Sequence, residues 1–158
     1  MKNDGISLIE VIVVCAIIMT VLGIAGLETK SMASNSSLRT AADDYKWEVQ
    51  QRRAQAAQEN RLYRITVNVT PSNTVVVEQC SNIGTPCAGW ATVLTKTLTS
   101  SDRTIFIANA LYGAGTVTTI QPRGTVTSGS ITLQNGRGST AVISTNLLGR
   151  TVATYTFN

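Results

Sequence analysis

The sequence predicts an α+β protein in which one long N-terminal helix packs on an antiparallel, β-rich C-terminal domain. Residues 6–62 join an apolar run to a helical repeat of apolar side chains, whereas residues 63–158 break into short runs rich in threonine and valine. Apolar residues three or four positions apart indicate a helix, and β-branched residues favour strands. A chain of 158 residues accommodates one anchored domain of ordinary size.

The first half of the predicted helix, residues 6–27, has the character of a membrane span. Glu10 is its only ionisable carboxylate or amine, and Cys15 acts there as a small apolar side chain. At about 1.5 Å per residue these positions extend roughly 33 Å, enough to cross a bilayer's hydrocarbon. A carboxylate near the end of a span costs about 2–3 kcal/mol on insertion and usually marks a function. A signal anchor with an incidental glutamate is the alternative.

The second half of the helix, residues 28–62, is predicted to be amphipathic and to end near Asn60. It begins with a polar stretch that leaves the membrane, and a single apolar stripe then follows. The apolar face needs a partner, which only the β-rich remainder can supply. The stripe consists of Leu38, Ala42, Tyr45, Val49 and Ala56.

The remainder, residues 63–158, is predicted to form eight short strands. Asn135-Gly136 between two apolar runs indicates a hairpin, because both residues tolerate positive φ. The predicted strands are Tyr63–Val69, Thr74–Cys80, Trp90–Leu98, Thr104–Ile107, Thr116–Ile120, Ser130–Gln134, Thr140–Thr145 and Thr151–Phe157.

Composition argues against an enzyme. The chain has no histidine, which excludes imidazole metal sites and most general-base chemistry. The β-rich half contains no paired carboxylates, no nucleophile beside a base and no phosphate-binding glycine loop. We therefore predict no catalytic residues, no metal and no cofactor. From Tyr63 onward the chain has six basic and two acidic residues, so this half carries the net charge of +4.

The N-terminus resembles the prepilin signature of type IV pilins and type II secretion pseudopilins: Gly5 is followed by Ile-Ser-Leu-Ile, Glu10 and Val-Ile-Val-Val. The resemblance implies a leader of residues 1–5, cleavage by the prepilin peptidase between Gly5 and Ile6, and methylation of the new N-terminus. Ile6 stands where these families more often have phenylalanine, and Asp4 offsets the positive charge of Lys2. The resemblance also implies a single pass through the inner membrane, a periplasmic C-terminal domain and later entry into a pilus or pseudopilus.

Glu10 has a physical role that agrees with this resemblance. Cleavage creates a charged amine at Ile6, and the Glu10 carboxylate of a neighbouring, axially offset helix can neutralise it inside an apolar bundle. A buried charge pair of this kind sets register between helices. The partners implied are other major and minor pilins or pseudopilins.

Cys80 and Cys87 flank a turn-rich loop and are predicted to form a disulfide. Two cysteines without histidine cannot complete a four-ligand zinc site, and their spacing is not that of a redox Cys-x-x-Cys motif. An oxidising compartment outside the inner membrane agrees with the anchor's topology.

The order of features along the chain resembles that of the GspH/FimT group of minor pilins and pseudopilins: a helix end at Arg53–Arg61, then Cys80, Cys87 and Trp90, then Ile120-Gln121-Pro122-Arg123-Gly124, and last Gly149-Arg150. In FimT-like proteins, which bind DNA in natural transformation, a Gly-Arg-x-Arg motif is implicated. Here Gly149 and Arg150 are retained, whereas Val152 replaces the second arginine. Arg123 and Arg137 compensate only if they lie near Arg150, and scattered, solvated arginines are the simpler interpretation. The sequence therefore predicts a minor pilin or pseudopilin that supports filament assembly, with a DNA-binding minor pilin as the alternative and the choice between pilus and secretion system left open.

Overall fold

The computed structural model describes residues 8–69, 71–83, 86–98, 105–113 and 115–158, with backbone only for residues 23–31. Helix α1 covers Leu8–Glu59. The chain divides into two compact units, Met1–Ala33 and Ser34–Asn158, each of which is described by itself. Gly5 and Ile6, the predicted processing site, lie outside the described residues.

In the first unit the described side chains, those of residues 8–22 and 32–33, are exposed on the helix surface. Large apolar residues dominate residues 8–22, for example Leu8 at 79% and Leu22 at 65% exposure. Glu10 is exposed among them. In the described part of the chain, no helix combines the length and the apolar character that a membrane crossing requires.

In the second unit α1 presents the predicted apolar stripe to the core. Leu38, Ala42, Tyr45, Val49 and Ala56 are each at most 1% exposed, which confirms the helical period read from the sequence. The helix ends where Asn60 takes a left-handed φ of 51°, a conformation that asparagine tolerates better than most residues.

The described residues after α1 form eight strands, arranged in two four-stranded antiparallel sheets. The first sheet has the order β3-β2-β1-β5 and the second β4-β6-β7-β8. The strands are β1 Tyr63–Asn68, β2 Thr74–Cys80, β3 Trp90–Thr97, β4 Ile105–Tyr112, β5 Val117–Ile120, β6 Gly129–Asn135, β7 Thr140–Thr145 and β8 Thr151–Thr156.

These strands confirm the predicted positions, apart from small differences at the ends and a longer β4. The hairpin predicted at Asn135-Gly136 joins β6 to β7. Strand β4 extends five residues beyond the predicted end at Ile107, through a register shift between Ile107 and Asn109. Pairing with β6 holds this extension in the sheet despite its weak local strand propensity.

The core lies between α1 and the two sheets. Strand residues alternate between buried and more exposed positions, as half-buried strands do. Within the core, the hydroxyls of Tyr45 and Tyr112 share a hydrogen bond of 2.5 Å. Burial raises the pKa of both phenols, so both stay neutral and the bond persists at physiological pH.

Side-chain contacts to one edge strand of each sheet, β3 and β8, hold α1 laterally. On one side Lys96 in β3 forms an ion pair with Asp44, with a Nζ–Oδ2 distance of 2.9 Å. On the other side the guanidinium of Arg39 lies over the rings of Tyr155 and Phe157, 5.6 and 4.9 Å from their centroids. The helix is therefore held between β3 and β8.

Candidate functional site

Two turns of the β-rich region meet the C-terminal part of α1. Arg53 donates from Nε to the carbonyl oxygen of Gly124 at 2.8 Å. One turn earlier, Gln50 donates from Nε2 to the carbonyl oxygen of Gly149 at 2.7 Å. The first glycine lies in the β5–β6 connection and the second in the β7–β8 turn, so one segment of α1 holds both loops.

The two turns are also joined to each other. The amide of Val126 donates to the carbonyl oxygen of Leu147 at 3.0 Å. Within the β7–β8 turn, Oδ1 of Asn146 accepts a hydrogen bond from the Arg150 amide at 2.8 Å. Gly149 has a φ of +75° and packs against Arg53. A structural requirement therefore explains the glycine of the Gly149-Arg150 motif, because a side chain at this position would be strained and crowded.

A groove of about 340 Å³ lies between α1 and the β5–β6 connection. Its walls combine two arginines with small and polar residues: Gln50, Arg53, Ala54, Ala57, Arg123 and Gly124. Among the described residues, neither Arg123 nor Arg150 forms an ion pair, and both are exposed. Sequence analysis did not identify Gln50 and Arg53 as residues of this site, because they look like ordinary solvent-facing residues of an amphipathic helix.

The carboxylates at this end already have partners. Glu48 and Arg52 form a buried ion pair with an Oε1–Nε distance of 2.6 Å. Glu59 accepts hydrogen bonds from the Tyr63 hydroxyl, at 2.9 Å, and from Gln79. Arg123 and Arg150, which form no ion pair among the described residues, therefore leave unpaired positive charge at this end.

Arg137 lies apart from the other two arginines that the sequence singled out. It belongs to the β6–β7 turn, and strand β7 separates this turn from the β7–β8 turn that carries Arg150. Six residues of extended strand span roughly 20 Å. The structure thus brings Arg123 and Arg150 to adjoining loops and places Arg137 at the opposite end of the sheet.

The predicted disulfide between Cys80 and Cys87 is present, with an Sγ–Sγ distance of 2.07 Å. Cys80 ends β2 and pairs in register with Trp90, the first residue of β3. The Arg64 guanidinium lies 4.4 Å from the centroid of the Trp90 indole. Arg64 also bonds Glu78 through two nitrogens, at 2.5 and 2.9 Å, and these bonds lower the pKa of that carboxyl.

Replacing both Cys80 and Cys87 by serine should lower the free energy of unfolding by about 2–3 kcal/mol, because the open loop regains conformational freedom in the unfolded chain. Urea denaturation of the oxidised protein and of the double variant measures this. Cys15→Ser, which changes a free cysteine, is the control and should leave stability unchanged. Equal midpoints for the oxidised protein and the double variant would contradict the expectation.

The described residues contain no group of side chains that indicates a metal site. Within the residues that the structure describes, no three side chains of histidine, cysteine, aspartate or glutamate are grouped as metal ligands.

The fold, a helix packed on antiparallel sheets, is the fold of type IV pilin-like proteins. Among the solved structures similar to this chain are two minor subunits of this fold. The minor pseudopilin EpsH from the type 2 secretion system of Vibrio cholerae aligns with a TM-score of 0.59 and 12% identity, over 75% of this chain and 97% of EpsH. The type IV minor pilin FimU of Pseudomonas aeruginosa aligns with a TM-score of 0.55 and 15% identity, over 78% of this chain and 92% of FimU. A second crystal form of FimU gives a TM-score of 0.50. No family model matches the sequence, and neither does any curated protein.

Proposed function

We propose that this chain is a minor pilin or pseudopilin, a non-enzymatic structural subunit that enters a type IV pilus or a type II secretion pseudopilus and supports its assembly. The observation that carries the proposal is the fold of Ser34–Asn158, in which the amphipathic part of α1 closes the core of two antiparallel sheets, as the likeness to EpsH and FimU indicates. The Gly5-to-Glu10 signature supports the same class.

The first unit supports an assembly role. Its described side chains from Leu8 to Leu22 leave a surface almost entirely of large apolar groups exposed. Such a surface is not stable in water and requires a cover of lipid or of other apolar helices. We infer that residues 6–27 are covered by the inner membrane before assembly and by neighbouring subunits afterwards, that residues 1–5 are removed by the prepilin peptidase, and that the β-rich domain faces the periplasm.

Filament shearing tests the proposal. The protein should appear with the filament subunits in the sheared fraction of cells that make the prepilin peptidase. It should remain with the membranes in cells that lack this enzyme. Recovery only in membranes of both strains would contradict a structural role in the filament.

DNA binding is the second candidate, favoured by Arg123 and Arg150 on adjoining loops. The site nevertheless lacks Arg137, which lies at the other end of the sheet, and has Val152 in place of a further arginine. Each lost phosphate contact weakens binding and reduces its salt dependence. We therefore expect the protein to bind duplex DNA no more tightly than the roughly 1–100 µM of non-specific contact at about 150 mM salt.

A gel-shift titration at two salt concentrations measures this affinity. Arg150→Ala tests the adjoining loops, and Arg137→Ala is the matched control at the distant turn. Sub-micromolar binding that Arg150→Ala abolishes and Arg137→Ala preserves would contradict the expectation and make the protein a DNA receptor.

A further inference from the structure

The β7–β8 turn carries an apolar surface directly beside the arginines. Leu147 and Leu148 are 62% and 69% exposed, and Val152 at the start of β8 is 47% exposed. We call Leu147, Leu148, Val152 and the adjoining arginines Arg53, Arg123 and Arg150 the distal surface. It lies beside the C-terminal part of α1 and far from Ser34, because Arg53 follows Ser34 by 19 helical residues, which extend about 29 Å.

The turn that presents these leucines is firmly held. Its backbone is closed by the bond from the Gly149 amide to the Asn146 carbonyl, at 2.9 Å, and is tied to the β5–β6 connection through Leu147. Gln50 fixes it to α1. The turn is thus bonded within itself, to the β5–β6 connection and to α1. Because it is already ordered, it loses little conformational entropy on binding, which favours docking through its two exposed leucines.

The chemistry of the distal surface favours a protein over a nucleic acid. Protein interfaces combine an apolar centre with arginine, whereas lysine is depleted. Here the three basic residues are all arginines, and two leucines and a valine are exposed beside them, together with the polar Asn146. Interfaces with DNA are more polar and gain most of their affinity from phosphate contacts, to which exposed leucines contribute nothing.

The charge of the distal surface defines its partner. Glu48 and Glu59, the nearby carboxylates of α1, are already bonded to Arg52 and to Tyr63. Arg123 and Arg150 have no acidic partner within the described residues. We propose that the distal surface docks an acidic segment of a different pilin-class subunit, which covers the two leucines and neutralises the arginines. This inference deepens the proposed function and rests on it.

Site-specific photo-crosslinking in cells that make the filament tests the docking. Leu148→p-benzoylphenylalanine should form an adduct with another pilin-class subunit, and the crosslinked peptide should contain aspartate or glutamate. The same replacement at Leu111, which is 57% exposed on β4, is the control and should give no such adduct. Arg150→Glu should reduce the yield at least about tenfold, because like charges across an interface cost several kcal/mol, whereas Arg137→Glu should leave it unchanged.

Three results would overturn the docking: no adduct from position 148, an adduct with DNA, or an adduct only with a second copy of this chain. The sheared fraction of the same cells separates this failure from failure of the proposed function. Protein present in filaments without the adduct rejects the docking alone. Protein absent from filaments rejects the structural role as well.

Discussion

Replacing Glu10 by alanine should remove the protein from sheared filaments while membrane insertion and cleavage continue. In the assembled bundle the Glu10 carboxylate would neutralise the amine of Ile6 on a neighbouring helix. Removing one partner of a buried charge pair leaves the other uncompensated, at a cost of about 3–5 kcal/mol. We therefore expect a loss of at least about 100-fold in the ratio of filament to membrane protein.

Two further variants show that charge is responsible. Glu10→Gln keeps the shape of the side chain but not its charge, and it should fail as Glu10→Ala does. Thr20→Ala changes a polar residue of the same helix whose hydroxyl only bonds the Ala16 and Ile17 carbonyls, so it should assemble normally. Normal assembly of Glu10→Ala would remove the assembly role, and accumulation of uncut precursor would assign Glu10 to cleavage instead.

Replacing Gly149 by alanine should destabilise the protein by about 2–5 kcal/mol. A left-handed φ costs a non-glycine residue about 1–2 kcal/mol, and forced contacts in a packed region cost about 1–3 kcal/mol. Gly149 has a φ of +75°, and a Cβ there would lie 2.9 Å from Arg53 Cδ and 3.1 Å from Val126 Cγ2.

Gly115→Ala is the matched control, because a Cβ at Gly115 would meet no atom within 4 Å. Thermal unfolding of both variants measures the difference. A melting temperature for Gly149→Ala equal to that of Gly115→Ala would show that the β7–β8 turn is not held against α1 as the contacts indicate.

The sequence predicted the fold in detail because its local signals agree. The apolar stripe from Leu38 to Ala56 and the Asn135-Gly136 hairpin depend on neighbours along the chain. Strand β4 was predicted too short because the extension beyond Ile107 is stabilised by pairing with β6 and by the Tyr112–Tyr45 contact. Both are tertiary interactions that local propensity does not contain.

The candidate site was less predictable. Arg53, Arg123 and Arg150 belong to three separate segments, and their convergence depends on the tertiary bonds of α1 to the β5–β6 connection and the β7–β8 turn. The sequence could select Arg123 and Arg137 as equal candidates beside Arg150. The bond from Val126 to Leu147 joins the loops of Arg123 and Arg150, whereas strand β7 separates Arg137 from Arg150. Neither relation can be inferred from local sequence.

The N-terminal mass of the protein in sheared filaments tests the central claim most directly. A pilin-type subunit should begin at Ile6, and its N-terminal peptide should carry one added methyl group. Such a peptide links the Gly5–Ile6 junction, the peptidase and the filament in one measurement. A chain that still begins at Met1 in peptidase-competent cells, or its absence from the filaments, would contradict the account.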